Sequence, residues 1–130
     1  LRILDDLRRK KGVGLIFISH DLNVVSQISD RIAVMYAGQI VECGPSCDVI
    51  EQPAHPYTRA LLASSPQFGA GGGLPKPIGG SLPRPDDLPA GCAFAARCEM
   101  ATDICFSSAV ELRGNTTREV RCVKWEVENG

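Results

Sequence analysis

The stretch Leu15-Ile16-Phe17-Ile18-Ser19-His20-Asp21 is the most informative part of this chain, because an apolar run ends in it at a polar corner. Its first residues carry no charge and follow Gly14, which indicates a strand over 14–19 that is buried on both faces. Ligands of α/β proteins bind outside the carboxyl ends of such strands. His20 is therefore placed to touch a ligand, whereas Asp21 is predicted to cap the helix that follows.

Length and composition exclude several classes of protein. The chain has 130 residues, enough for about one domain, and its net charge of −1 provides no field that would attract nucleic acid. No apolar stretch approaches the roughly 20 residues that span a bilayer. The N-terminus is rich in Arg and Asp and does not resemble a signal peptide. We therefore expect a cytoplasmic protein that does not bind nucleic acid.

Hydrophobic periodicity and turn residues predict several short elements ahead of a long connector. In chain order they are a helix over 1–11, the strand over 14–19, a helix after Asp21 that buries Leu22, Val24, Val25 and Ile28, a β-hairpin over 31–42 that turns at Ala37-Gly38, a helix over 45–50 and a helix over 57–65. His55 lies between Pro53 and Pro56 and is interpreted as a turn residue. The stretch 66–89 is rich in Gly and Pro, which is typical of a connector rather than of a core.

The cysteines are the second chemical signal. Four of the six lie in the region 91–123, at Cys92, Cys98, Cys105 and Cys122. Cysteines in a reducing compartment are more often metal ligands than disulfides. Four thiolates can close a tetrahedral site or hold an iron–sulfur cluster, although this spacing is too open for a zinc ribbon. Free thiols and disulfides formed during purification are the alternatives, and Cys43 and Cys47 are interpreted as incidental small apolar residues.

Two groups of motifs resemble a known family. Ile18-Ser19-His20-Asp21-Leu22 and Asp30-Arg31-Ile32-Ala33-Val34-Met35-Tyr36-Ala37-Gly38-Gln39-Ile40-Val41-Glu42-Cys43-Gly44 resemble the C-terminal third of an ABC-transporter nucleotide-binding domain. Pro53-Ala54-His55-Pro56-Tyr57-Thr58-Arg59-Ala60-Leu61-Leu62 and Gly91-Cys92-Ala93-Phe94-Ala95-Ala96-Arg97-Cys98 resemble the extension of the oligopeptide/dipeptide importer ATPase subunits.

This resemblance implies an α/β fold, namely the C-terminal piece of a P-loop NTPase domain with a β-hairpin and then a small irregular Cys-rich extension. We expect residues 1–52 to be the end of the nucleotide-binding domain. Residues 53–90 would hold the His-Pro-Tyr helix and the linker, and residues 91–130 the four-Cys extension.

The resemblance also implies a function and its partners. The chain would be part of the ATP-binding subunit of an importer that couples ATP hydrolysis, with Mg²⁺, to the uptake of oligopeptides or dipeptides. His20 would be the switch histidine that contacts the γ-phosphate and the attacking water. The implied cofactor of Cys92, Cys98, Cys105 and Cys122 is a 4Fe-4S cluster, with Zn²⁺ as the alternative. The implied partners are a second ATP-binding subunit in a homodimer or heterodimer, membrane permease subunits at the inner face of the membrane and, indirectly, an extracytoplasmic peptide-binding protein.

The sequence departs from the family in one respect that bears on activity. It contains no Gly-x-x-x-x-Gly-Lys-Ser/Thr phosphate loop and no apolar strand that ends in Asp-Glu to hold magnesium. The intact parent would be an ATPase, but this stretch alone is predicted to be inactive. The alternative is a stand-alone, metal-stabilised protein-binding module.

Overall fold

A computed structural model describes residues 2–66, 68 and 76–125, and these form an α/β fold with one antiparallel sheet. The sheet has four strands in the order β1-β2-β4-β3. The elements are α1 (Arg2–Lys11), α2 (Leu22–Ile28), β1 (Arg31–Tyr36), β2 (Gln39–Pro45), α3 (Ser46–Glu51), α4 (Pro56–Ala63), a 3₁₀ turn (Ala95–Arg97), α5 (Asp103–Ser107), β3 (Arg113–Gly114) and β4 (Glu119–Val120). Within the described ranges no helix is long and apolar enough to cross a membrane.

The predicted hairpin is confirmed as β1 and β2, and its turn explains why the two strands meet. Ala37 and Gly38 both have positive φ, 47° and 78°, as the two central residues of a type I′ turn require. The twist of this turn matches that of the strands it joins. The hairpin is therefore specified locally, by four residues at its tip.

Replacing Ala37 with asparagine is expected to stabilise the protein by about 1 kcal/mol, because alanine pays a steric cost at positive φ that asparagine largely avoids. Urea unfolding followed by circular dichroism measures the change. The matched Gly38→Ala variant places a side chain at the other positive φ and is expected to destabilise. An Ala37→Asn protein with an unchanged or lower midpoint would contradict this account of the turn.

A β-bulge in β2 changes which side chains face the core. Val34 pairs with Glu42 but the next residue, Met35, pairs with Ile40, so Val41 is an extra residue on the β2 side. Strand side chains normally alternate between faces, and a bulge interrupts that alternation. Val41 and Glu42 are consequently both buried although they are adjacent in sequence.

The predicted strand over 14–19 is wrong for the described chain, where residues 12–19 form no regular element. Ile16 and Ile18 are 92% and 91% exposed rather than buried. A strand needs a hydrogen-bonded neighbour, and the described sheet, which begins at β1, does not include this segment. The apolar pattern of the sequence does not show whether such a neighbouring strand is present.

The predicted helices are confirmed, with small differences at their ends. The Asp21 carboxylate accepts hydrogen bonds from the N–H groups of Asn23 and Val24 at 3.0 and 3.3 Å, and therefore caps α2 as expected. Of the residues that α2 was predicted to bury, Leu22 and Val25 are buried, whereas Val24 and Ile28 are only half-buried.

The C-terminal part of the chain is joined to the hairpin by the sheet and by Arg97. Strand β4 pairs with β2 through Glu42 opposite Val120 and Cys43 opposite Glu119. The Arg97 guanidinium donates to the carbonyl oxygens of residues 78 and 79 at 3.0 and 2.7 Å, and to the Tyr36 hydroxyl at 3.1 Å. The end of the connector is thus held against the hairpin.

Candidate functional site

The four cysteines that the sequence singled out line one cavity of about 20 Å³. They reach it from four separate segments. Cys92 precedes the 3₁₀ turn, Cys98 follows it, Cys105 lies on α5 and Cys122 comes just after β4. A hydrogen bond of 2.8 Å from the Cys92 N–H to the Cys105 carbonyl holds the first segment against α5. The fold therefore brings together thiols that are up to 30 positions apart in the chain.

These thiols lie in an apolar, partly closed environment. Cys105 is buried and the other three are half-buried. Burial raises the pKa of the Cys92 thiol, and the nearby Cys122, Cys105 and Cys98 raise it further. Burial likewise raises the pKa of Cys98, with Cys122 and Cys105 adding to the effect. Because each thiolate would repel the others, a bound cation at their centre is what would allow them to ionise together.

The four thiols are of a chemical type that binds metal ions. All-thiolate sites are typical of Zn²⁺ and of iron–sulfur clusters, which prefer soft sulfur ligands. Over residues 2–66, 68 and 76–125 no three His, Cys, Asp or Glu side chains are arranged so that they could hold a metal ion as they stand. The thiols thus line the cavity without forming a coordination shell.

His55 also lines this cavity, which the sequence analysis did not anticipate. It is a helix cap rather than a turn residue, since its Nδ1 accepts a hydrogen bond of 3.0 Å from the Tyr57 N–H at the start of α4. Only 1% of the residue is exposed, and its Nε2 is buried without a hydrogen-bond partner. The Pro that follows His55 marks a helix start, but nothing in the local sequence indicates which nitrogen faces the cavity.

The position of His55 is fixed by a buried charge on β2. Glu42 is 0% exposed, and its carboxylate accepts hydrogen bonds from the N–H groups of Ala54 and His55 at 3.0 and 2.9 Å. The Arg118 guanidinium donates to the same carboxylate at 2.7 Å and also to the Gln52 carbonyl. Glu42 therefore ties the segment that enters α4 to the loop that precedes β4.

Acidification is expected to destabilise the protein through His55. Burial lowers the pKa of His55 to about 4 from 6.5, and Glu42 opposes this shift only in part. Between these two pH values the unfolded chain binds a proton that the folded chain excludes. The neutral His55 thus makes its full contribution to the free energy of unfolding above pH 6.5. This contribution decreases as the pH falls toward 4, by up to about 1.4 kcal/mol per pH unit.

Urea unfolding of the protein and of His55→Asn over the range from about pH 4 to 7 measures this contribution. Carboxylates titrate in the same pH range. The pH dependence of the unfolding free energy of the wild type minus that of the variant therefore gives the part that is due to the histidine. If the free energy of unfolding changed with pH equally in the wild type and in His55→Asn, His55 would not be buried in its neutral form.

His20 lies away from the cysteines, at a second cavity of about 270 Å³ that is open to solvent. This cavity is also lined by residues at the start of α2 and after α4, namely Asp21, Asn23, Ser64, Ser65 and Pro66. The His20 side chain is exposed. His20 and the four cysteines therefore line two separate cavities of the described fold, and their roles as site residues stay predictions.

Known proteins resemble this chain over almost its whole length. A sequence model described as the C-terminal region of oligopeptide/dipeptide transporters matches residues 41–105. The oligopeptide transport ATP-binding protein AppD of Bacillus subtilis is 42% identical over 98% of this chain and 39% of its own length. The dipeptide transport ATP-binding protein DppD of Haemophilus influenzae is 41% identical over 94% of this chain and 37% of its own length.

The chain thus spans about two fifths of the length of the curated relatives it matches. The matched region includes most of the hairpin strand β2, the helix that His55 caps and three of the four cysteines around the cavity. Because this match covers residues 41–105, half of the chain, the chain belongs to the oligopeptide/dipeptide transporter C-terminal region family.

Proposed function

We propose that this chain is part of the ATP-binding subunit of an ABC importer that couples ATP hydrolysis to the uptake of oligopeptides or dipeptides. The observation that carries this proposal is the match, over almost the whole chain, to ATP-binding proteins of oligopeptide and dipeptide transport. The exposed His20 beside an open cavity supports it, since a side chain that meets a nucleotide across a subunit boundary must be accessible.

In this proposal His20 contacts the γ-phosphate of ATP and the attacking water when two ATP-binding subunits close. An imidazole N–H can donate a hydrogen bond to the charge that develops on the phosphoryl oxygens, and phosphoryl transfer depends mainly on such positioning. Asp21 is not a second catalyst, because its carboxylate is committed to capping α2. The residues that bind Mg²⁺ and the other phosphates would lie in the remainder of the subunit.

The exposed apolar segment 13–18 fits the same proposal. Leu15, Ile16 and Ile18 are each at least 44% exposed, which is costly for a segment with no polar side chain. In the subunit we place this segment as a strand in the sheet of the nucleotide-binding domain. Strands from outside these 130 residues would pair with it and cover its side chains.

We place the subunit in the cytoplasm, peripheral to the inner face of the membrane. Its partners would be a second ATP-binding subunit, as a homodimer or heterodimer, the membrane permease subunits and, through these, an extracytoplasmic peptide-binding protein. The stand-alone binding module receives no support from the relatives, which are named as ATP-binding transport proteins across almost the whole chain.

The four cysteines would hold a 4Fe-4S cluster, with Zn²⁺ as the alternative. Bound there, the metal centre would neutralise the thiolates and join four segments that share few apolar side chains. Cys92, Cys98, Cys105 and Cys122 would be its ligands, and the apolar cavity wall around Phe94 would keep water from it. No part of this role involves the nucleotide, since His20 lies at the other cavity.

A chimera tests the transport function. The matching segment of the Bacillus subtilis relative is replaced by this chain, and growth that requires oligopeptide uptake is measured. We expect the chimera to support growth, His20→Ala to abolish it and the control Glu51→Gln, a change at an exposed residue of α3, to leave it unchanged. A folded chimera that supports growth equally well with His20→Ala would contradict the role of His20.

The isolated 130-residue chain is expected to release no phosphate from ATP, because it has no phosphate loop. The measurement is a phosphate-release assay with Mg²⁺ present, with His20→Ala as the control. Turnover that depends on His20 would show that the chain is a complete ATPase by itself, which the proposal excludes.

A further inference from the structure

One ring nitrogen of His55 takes part in a hydrogen bond and the other does not. Its Nδ1 accepts from the Tyr57 N–H, so in the neutral ring the proton must be on Nε2. Nε2 is therefore an N–H donor, and it is buried without an acceptor.

An unpartnered donor at this depth is costly, by about 1–3 kcal/mol in typical proteins, and calls for an acceptor. Four buried side-chain polar atoms lack a partner in the part of the chain that the structure describes, and His55 is the one of these residues that lines the cysteine cavity. A backbone hydrogen-bond contribution from Arg121, next to Cys122, raises the pKa of His55, so the Arg121 carbonyl lies near the ring. The geometry of this approach does not meet that of a hydrogen bond, and Nε2 is buried without a partner.

We propose that His55 is a positioning residue of the four-cysteine site and that its Nε2–H donates a hydrogen bond to a metal-bound cysteine sulfur there. This inference rests on the proposed metal centre. A metal-bound thiolate keeps part of its negative charge and is a strong acceptor for a buried N–H. His55, whose Nε2–H lacks an acceptor, thus lines the same cavity as four sulfurs that become acceptors once a metal binds.

The surrounding contacts make this donor rigid. The backbone N–H of His55 is held by the buried Glu42 carboxylate at 2.9 Å, and the ring is held by its bond with Tyr57. Phe94, whose ring centroid is 6.1 Å from that of His55, packs beside it and also lines the cavity. A donor held in this way fixes the orientation of the sulfur that it meets, which is how residues next to the ligands tune metal affinity.

Two substitutions separate the two nitrogens of His55. In His55→Asn the short amide oxygen can still accept from the Tyr57 N–H and cap α4, but the donor at the Nε2 position is lost. In His55→Gln the longer side chain carries an amide N–H close to the Nε2 position, but the cap is weakened. The full chain is titrated with Zn²⁺ under reducing conditions, and the affinity is obtained by competition with a chelator.

We expect His55→Asn to bind Zn²⁺ about 10- to 100-fold more weakly than the wild type, and His55→Gln to stay closer to the wild type although it is the less stable of the two variants. Proton–nitrogen correlation spectra of the histidine rings provide the second measurement. The Nε2–H resonance of His55 should shift when Zn²⁺ binds.

Three outcomes would overturn the inference. His55→Asn could bind Zn²⁺ as tightly as the wild type. The loss of affinity could follow stability, with His55→Gln the weaker binder, which would make the role of His55 structural. The Nε2–H resonance could be the same with and without metal, as expected if the Arg121 carbonyl were its acceptor in both states. A wild-type chain that binds neither Zn²⁺ nor a reconstituted cluster would instead overturn the metal centre itself, and this inference with it.

Discussion

Glu42→Ala is expected to lower the free energy of unfolding by about 3–5 kcal/mol, as is usual when one partner of a buried ion pair is removed. The Glu42 carboxylate is 0% exposed and accepts hydrogen bonds from two backbone N–H groups, those of Ala54 and His55. It also pairs with Arg118, whose side chain is only 17% exposed. Alanine would leave the two backbone N–H groups without their acceptor and would remove the charged partner of Arg118, which would keep its hydrogen bond to the Gln52 carbonyl.

Urea unfolding of Glu42→Ala, Glu42→Gln and Glu51→Gln measures the effect and its cause. Glutamine keeps one acceptor oxygen but removes the charge, so we expect an intermediate loss for Glu42→Gln. Glu51 is exposed at the end of α3, and its replacement should change stability by less than about 0.5 kcal/mol. If Glu42→Ala were as stable as the Glu51 control, the buried carboxylate would not hold these segments together.

The burial of Glu42 could not be predicted from the sequence, and the reason is local geometry. Strict alternation in β2 places Ile40 and Glu42 on one face and Val41 on the other. The bulge inserts Val41 as an extra residue, so Val41 and Glu42 are both buried while Ile40 is 36% exposed. A bulge has no clear sequence signal here, and the partner Arg118 lies 76 residues away.

The features that could be predicted depend on neighbours in the chain. The Ala37-Gly38 turn and the Asp21 cap each involve residues within a few positions of one another, and both are confirmed. The strand over 14–19 depends on a distant partner, and the described sheet does not contain one. The four cysteines line one cavity, while their role as ligands of one metal centre stays a prediction. The place of His55 in the wall of that cavity depends on contacts with Glu42 that no local pattern indicates.

Cys105→Ser is expected to abolish the metal content of the protein and to unfold the extension around the cavity. Cys105 is the buried member of the four, and its backbone carbonyl holds the Cys92 segment. Structural metal ions bound by four ligands contribute about 10–16 kcal/mol of apparent binding free energy. Phe94 and Val120 are the large apolar side chains that are buried in this region, which should therefore depend on that contribution. Cys47→Ser is the control, because Cys47 is exposed on α3 and does not line the cavity.

Iron and sulfide assays with a visible spectrum, on protein purified without oxygen, distinguish the two metal centres. A coloured wild type with equal iron and sulfide, unchanged in Cys47→Ser and colourless in Cys105→Ser, is expected for the 4Fe-4S cluster. Colourless, zinc-loaded protein would reject the cluster but retain a site with four thiolates, because Cys105→Ser would still lose its zinc. If the metal content were unchanged in Cys105→Ser, both the 4Fe-4S cluster and the four-thiolate zinc site would be contradicted. Hydrogen exchange in the segment from Cys92 to Cys122 should rise when the metal is lost, because the metal would no longer join the four cysteines.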